Sequence, residues 1–263
     1  MLYFMRTSFY TSKSAMVAQQ DKLDLVSNNI ANSGTYGYKR LTTSFQDLYK
    51  NSLNKLGIPA GENKEDLYVG SGVKSTAAVR IQKQGSLKQT GLVTDLAIEG
   101  DGMFKVYKSD GTAYYTRSGN FTIDAIGNIV DKNGYRLSIV DGNGNEINVP
   151  GNSFEGGNFT VDKDGTVSKE VNGRLVEMGS IKTYTSIGDN DFLSVGENLF
   201  TLPEGMQALE TTSRTIYQSH LENSNVDMAT EMSDMIVAQR AFQLSSTALK
   251  TSDEMWQMVN NLR

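Results

Sequence analysis

The chain has 263 residues, enough for one large or two modest domains with a real core. Its formal net charge is −5 and its Lys and Arg residues are scattered, so a nucleic-acid backbone has no basic patch to meet and no such partner is expected. There is no cysteine, which excludes disulfides, thiolate metal sites and Cys nucleophiles and leaves the compartment open.

The opening "MLYFMRTSFYTSK" interrupts its apolar residues with Arg6, Thr7 and Ser8, so no cleaved signal peptide is expected, and no apolar run is long enough to span a bilayer. From Leu2 the series Met5, Phe9, Ser12, Met16, Gln19, Leu23, Val26, Ile30 steps alternately by three and four, a heptad seam. Ser12 and Gln19 are polar, so the helix needs something to lie on. The period alone leaves two arrangements open: a helix on its own domain's core, or one paired with another helix. Asn28, Asn29 and Asn32 then read as the helix stop, with Gly34 and Gly37 supplying positive φ for the turn that follows. "GTYGYKR" lacks the Gly-Lys-Ser/Thr ending of a phosphate loop and follows a helix, which removes that reading.

Between Val69 and Leu202 the pattern changes to short runs such as "LAIEG", "MFKVYK" and "YRLSIV". They are punctuated by Asp110-Gly111, Asn133-Gly134, Asp141-Gly142, Asp164-Gly165 and Asn172-Gly173, pairs that favour primed hairpin turns. An antiparallel β domain follows. Within it "GNFTIDAIGNIVDKNG" (119–134) is echoed by "GNFTVDKDGTVSKEVNG" (157–173), which predicts one hairpin unit used twice, each placing its Phe and a β-branched residue on the sheet.

The third zone begins near Gln207 and becomes helical after Asn225, with Ser224 or Asn225 as candidate cap and Asp227 and Glu231 near the positive end of the dipole. Met232, Met235, Gln239, Phe242, Ser246, Leu249, Asp253 and Trp256 form one stripe; Ala241, Leu244, Ala248, Met255, Met258 and Leu262 form a second beside it. An apolar face that wide does not stay alone in water. Its methionines suit either an adaptable binding surface or plain core packing.

Reactive chemistry is thin. His220 has no second histidine or cysteine with which to make a metal set or a relay, and reads as a surface or capping residue. Asp141 to Glu146 starts like a calcium loop but has Glu146 where the loop needs glycine, so a hairpin tip is expected. Asp95, Glu99 and Asp101 are close enough in sequence to suggest a glycosidase pair, but read better as solvated loop ends. No catalytic residue, cofactor or metal is expected.

Three stretches in order resemble one family. "LVSNNIANSGTYGYKR" is similar to the N-terminal signature of the flagellar hook and rod proteins, "LAIEGDGMFKV", "YYTRSGNFTIDAIGNIVDKNGYRL" and "GENLF" to their central stretches, and "LENSNVDMATEMSDMIVAQRAFQLSSTALKTSDEMWQMVNNL" to their C-terminal signature. Ala15-Met16 stands where the family usually has Gly-Leu, and Gly102-Met103-Phe104 where it has Gly-Phe-Phe. The length, "DLYVGSGVKSTAAVRIQKQGSLKQTG" and the extra segment Tyr49 to Asp66 are most like the distal-rod members, with the proximal-rod members and hook-type subunits as runners-up.

The resemblance implies an α+β protein whose N- and C-terminal helices form a coiled-coil-like core domain, with a central antiparallel β-hairpin-rich domain. It divides the chain into 1–40 (helix and signature turn), 41–68 (an extended inter-subunit segment), 69–206 (β domain) and 207–263 (C-terminal helical segment). It further implies export through the flagellar type III apparatus, and self-assembly beside other rod and hook proteins into a helical tube. Its assembly interface would comprise Leu23, Val26 and Ile30 on the first helix, Asn29, Asn32 and Tyr38 in the signature, and Met232, Met235, Phe242, Leu249 and Trp256 on the last. A secreted carbohydrate-binding or hydrolytic β protein would need a concave aromatic or carboxylate site, and the sole tryptophan lies in the helical stripe; an adhesin would not need matched helical ends.

Overall fold

The structure is a computed structural model describing residues 2–48, 50–52, 68–141, 145–147, 159–171, 174–186, 192–203, 205–211 and 213–261. It is α+β and falls into two compact units. One comprises residues 1–31, 41–81 and 227–263; the other comprises 32–40 and 82–226.

The first unit contains helix α1 (Leu2–Ala31) and helix α2 (Met228–Asn261), packed on each other. They run antiparallel: the Ser8 and Ser252 hydroxyls meet at 3.4 Å near one end, and Asn29 Nδ2 donates to Glu231 Oε2 at 3.0 Å near the other. In the stretch 41–81 the described strands form three two-stranded ribbons. Here β1 (Leu41–Thr42) pairs with β6 (Val79–Arg80), β2 (Phe45–Asp47) with β5 (Val73–Ser75), and β3 (Lys50–Ser52) with β4 (Tyr68–Gly70). The described part of the segment expected to be extended and inter-subunit therefore pairs within its own chain, while Tyr49 and 53–66 lie outside the described residues.

α1 ends at Ala31, so Asn28 and Asn29 lie inside the helix. Asn29 is buried, and its amide holds the returning chain at Leu41 in both directions: Nδ2 donates to the Leu41 carbonyl at 2.8 Å and Oδ1 accepts from its N–H at 2.9 Å. Of the two glycines expected to take positive φ, Gly37 does (69°) and Gly34 does not. At the start of α2 the cap is Asp227 instead of Ser224 or Asn225: its Oδ1 accepts from Ala229 N–H at 3.2 Å and its Oδ2 from the Thr230 hydroxyl at 2.6 Å. The Thr230 and Ala229 hydrogen bonds hold the Asp227 carboxyl below its ordinary pKa.

In the second unit, β7 (Leu87–Gln89) and β8 (Leu96–Gly100) lead into β9 (Met103–Tyr107), β10 (Ala113–Thr116), β11 (Thr122–Ile123), β12 (Ile129–Val130) and β13 (Arg136–Leu137). There follow β14 (Phe159–Val161), β15 (Thr166–Val171), β16 (Arg174–Ser180), β17 (Thr183–Thr185), β18 (Leu193–Gly196), β19 (Leu199–Thr201), β20 (Leu209–Thr211), β21 (Arg214–Gln218) and β22 (His220–Glu222). A nine-stranded sheet runs β11-β12-β13-β9-β10-β19-β18, with β17 joining β9 to β20; β14-β15-β16 form a second sheet, and β8 pairs with β21 and β7 with β22. Every described pairing is antiparallel. Residues 209–222, placed by the sequence in the C-terminal helical segment, are thus largely strand. Ile216 of "RTIYQ" is buried, while its neighbours are half-buried.

The echoed stretches are two hairpins, β11-β12 and β14-β15, with Phe121 and Phe159 both in the main core and Ile129 and Val167 opposite them in sequence order. Their turns share one geometry. Asp124 N–H donates to the Asn128 carbonyl and Gly127 N–H to the Asp124 carbonyl; Asp162 does the same with Thr166 and Gly165. Gly111 and Gly134 close similar turns, with φ of 85° and 81°. Asp110, Asn133 and Asp164 do not have positive φ, so these are type I turns closed by a left-handed glycine and not the primed turns expected. Two consecutive non-glycine residues with positive φ occur instead at Glu197 and Asn198, between β18 and β19. Gly142 of the Asp141-Gly142 pair and the whole of Asn172-Gly173 lie outside the described residues.

Candidate functional site

The signature after α1 turns tightly, with Thr35 N–H donating to the Asn32 carbonyl at 3.1 Å, and Gly37 passes against the backbone of Arg117 and Ser118. A Cβ at residue 37 would stand 2.6 Å from Ser118 N, so the approach requires glycine as much as the φ does. Gly37 N–H donates to the Glu222 carbonyl at 2.8 Å, and the next two residues, Tyr38 and Lys39, enter the interior of the β unit.

There Lys39, Arg117 and Glu222 form a buried cluster, exposed by 5%, 6% and 2%. Glu222 Oε1 lies 2.7 Å from Lys39 Nζ and accepts from Gly85 N–H at 2.9 Å, while Oε2 accepts from Arg117 Nε at 2.5 Å. The remaining guanidinium hydrogens go to main-chain carbonyls: Nη2 to Ile98 and Gly100, Nη1 to Gly102. Lys39 Nζ also reaches the Lys83 carbonyl at 3.0 Å. Burial drives the Lys39 pKa down against the pull of Glu222. Burial alone would raise Glu222, but the charges and hydrogen bonds of Arg117 and Lys39 outweigh it and hold its carboxyl below the ordinary range. With its donors so fully engaged, the cluster is a clamp: it ties the signature turn, β8 with the Gly102 link to β9, and the end of β22 into one piece. Asn225 adds to it, accepting from Arg40 N–H at 2.7 Å and donating to the Lys83 carbonyl at 2.7 Å.

The helical unit has a different interior. Ala18, Val26 and Asn29 of α1 and Glu231, Ala238 and Ser252 of α2 are buried, while Leu23 and Ile30 on α1 and Met235, Phe242 and Leu249 on α2 are half-buried. The inward line on α2 therefore runs through Glu231, Met235, Ala238, Phe242, Ser245, Leu249 and Ser252. It shares Met235, Phe242 and Leu249 with the sequence series, but Met232 is 50% exposed, Gln239 and Asp253 are exposed, and Trp256 is 36% exposed. Asn32 is half-buried and Tyr38 buried, both in the β unit. Small residues at the closest points let two helices approach, and a search for large apolar residues passes over them.

Of the second stripe read from the sequence, Ala241 is half-buried, Leu262 lies outside the described residues, and the rest is on the outside. Leu244 is 72% exposed and Met258 58%; Met255 and Ala248 are exposed too, and Val237 and Ile236 extend the patch. This is an adhesive face, not a reactive one. Of the other candidates, His220 Nδ1 contacts the Gln218 carbonyl at 2.7 Å from β22. Asp95, expected in solvent, is buried and accepts from the Thr90 hydroxyl at 2.5 Å, which makes it an internal brace for the loop before β8. The clamp at Glu222 was missed, because its three members are far apart in sequence and no local period joins them.

Three family models match in the same order as the signatures: "Flagella basal body rod protein" over 9–39, "Flagellar hook protein FlgE/F/G D1 domain" over 97–169, and "Flagellar basal body rod FlgEFG protein C-terminal" over 217–262. "Flagellar basal-body rod protein FlgG" of Borreliella burgdorferi is 36% identical, covering 98% of this chain and 99% of its own length. The Bacillus subtilis protein of the same description is 34% identical over 98% and 100%, whereas that organism's "Flagellar hook-basal body complex protein FlhP" is 26% identical over the same shares. The chain belongs to the flagellar basal-body rod protein family.

Proposed function

We propose that the chain is a structural subunit of the flagellar distal rod, a FlgG-type protein that polymerises into a hollow helical shaft carrying motor torque to the hook. The observation that carries this reading is the uncovered apolar face of α2, on a helix pair that encloses little large apolar side chain of its own, in a chain similar to rod proteins along nearly its whole length. Covering such a face with further copies removes apolar surface from water. The FlgG branch is favoured over other hook-basal-body proteins by the identities within one organism, 34% against 26%. Its partners would be other copies, neighbouring rod and hook proteins, and the type III export apparatus, and its seat the basal-body rod. The residues Leu23, Val26, Ile30, Met235, Phe242 and Leu249 would act at one remove, by holding the pair that presents the outer face.

Leu244→Asp tests this. The substitution changes a residue 72% exposed in the single chain, so monomer stability should move by no more than about 0.5 kcal/mol. Tube formation, followed by sedimentation and electron microscopy, should fail. Unimpaired tubes from Leu244→Asp and from Ile236→Asp would overturn the reading.

A further inference from the structure

At the end of the helix pair remote from Asn29, the turn of α1 carrying Phe9 and Tyr10 lies beside the turn of α2 carrying Asp253 and Trp256, joined by the Ser8–Ser252 contact. These four residues line an open cleft of about 370 Å³. Phe9 and Tyr10 meet edge to face, centroids 5.9 Å apart, and Tyr10 and Trp256 remain 55% and 36% exposed. Asp253 accepts a hydrogen bond from Gln257 Nε2 at 3.2 Å and has no cation beside it among the described residues. Three aromatic rings and one uncompensated carboxylate select for charge. The rings' electron-rich faces attract a cation, and the carboxylate adds a charge-assisted hydrogen bond. A neutral apolar occupant would strip water from Asp253 without compensation, and an anion would be repelled. A guanidinium fits better than an ammonium, because it is planar, weakly hydrated and stacks on rings while pairing with a carboxylate.

We propose that this cleft binds a guanidinium group, supplied in the assembled protein by Arg240 of a second copy. The proposal rests on the self-assembly reading above. Arg240 is exposed on the outer side of α2 among Ile236, Val237 and Leu244; its side chain hydrogen-bonds Gln243 Oε1 of its own helix at 3.1 Å and meets no carboxylate among the described residues. The helix rises about 20 Å between positions 240 and 253, further than the side chain reaches, so these opposite charges on one helix meet only across chains. Seating Arg240 would bring the apolar residues around it onto the neighbouring copy at the same time, so that one charged anchor sets the register of an otherwise unspecific apolar contact.

The chain's single tryptophan stands in the cleft and reads its occupancy. Dilute monomer is titrated with N-acetylargininamide and, in parallel, with its neutral counterpart N-acetylcitrullinamide. A saturable change in Trp256 emission is expected for the first and not for the second, and Asp253→Asn, at an exposed helix position, should weaken the response at least about tenfold. In assembly, Arg240→Asp and Asp253→Arg should each impair polymerisation, and the two together should restore it. Equal responses to both compounds, or an unchanged titration with Asp253→Asn, would overturn the guanidinium site. A double variant as impaired as the single ones would overturn Arg240 as its source. Wild-type chain that never polymerises would overturn both that source and the rod reading, while the monomer titration would still decide the chemistry of the cleft.

Discussion

Phe104, Phe121, Ile98 and Val167 are closed off from solvent in the β unit, while the most enclosed positions in the helical unit are Ala18, Asn29, Glu231, Ala238 and Ser252. The first set is what a self-sufficient domain buries; the second lets two helices come close but removes little apolar area from water. Of the large apolar side chains of the helical unit, Val26 is buried and Leu23, Ile30, Met235, Phe242 and Leu249 are half-buried, while Leu244, Ile236, Val237 and Met258 stay outside. The lesson is a division of labour along one chain: the β unit is stabilised by what it contains, the helical unit by what comes to cover it. The two should therefore unfold separately, with Trp256 emission following the helical unit and tyrosine signals following mainly the β unit, and one global melting temperature would be ill-defined.

The hardest blow to the β unit is Phe104→Ala. Phe104 is fully buried and packs edge to face on Phe121 at 5.6 Å, so truncation should cost about 3–5 kcal/mol, a large share of a domain's usual stability. Denaturant titration should show the tyrosine transition moving while the Trp256 transition stays. If both move together, the units are one cooperative body and the division fails.

Glu222→Gln comes next. It leaves Lys39 and Arg117 buried without their carboxylate, a loss of about 3 kcal/mol in the β unit. The sign of the pH dependence follows from Glu222 itself. Its folded pKa lies below the ordinary 4.5, so the unfolded chain binds this proton more tightly. The stabilisation is fully present above that value and is lost as pH falls through the window beneath it. The wild-type β unit should weaken over this range more steeply than Glu222→Gln; parallel slopes would show that the clamp carries no such charge.

How far the sequence discloses each unit follows the same divide. The two echoed hairpins declare themselves because Phe, β-branched residues and Asp-x-x-Gly turns are local signals, and the outer stripe of α2 is visible because its apolar residues are large. The inner line of α2 is only partly visible: the apolar period selects Met235, Phe242 and Leu249, but the most enclosed positions are Ala238, Ser252 and Glu231, the last of which ordinary expectation puts in solvent. At that end the period selects Met232, one residue from Glu231. Residues 209–222 pass for part of a helical tail because their partners β7, β8 and β17 lie far upstream, and Asp227 is overlooked as the cap because Ser224 and Asn225 fit the same preference. Lys39, Arg117 and Glu222 become a unit only once the fold brings them together.

Asn29→Ala strikes the helical unit alone. It removes the amide that bonds Leu41 in both directions and Glu231 across the helix pair, an expected cost of about 2 kcal/mol. Trp256 emission should report an earlier transition, with the tyrosine transition unmoved. Assembly should suffer as well, since the face it offers depends on the pair. A tyrosine transition that shifts by a similar amount would mean that Asn29 supports the β unit too.

The smallest effect expected comes from Gly134→Ala, which isolates backbone conformation from packing. Gly134 closes the turn between β12 and β13 at φ 81°, and nothing stands within 4 Å of where a Cβ would be. The added methyl group therefore meets no neighbour, and the cost is that of holding an L-residue in left-handed geometry, about 1 kcal/mol. Gly37 has a similar φ but would drive its Cβ into backbone, so it cannot separate the two causes. If the turn is as rigid as its hydrogen bonds at Asp131 indicate, the full cost should appear in the tyrosine transition of the β unit, with none in Trp256 emission. A substitution that changes nothing would mean that the turn relaxes to accept alanine. The β unit's stability would then lie in its buried core and clamp, with its hairpin tips free to vary.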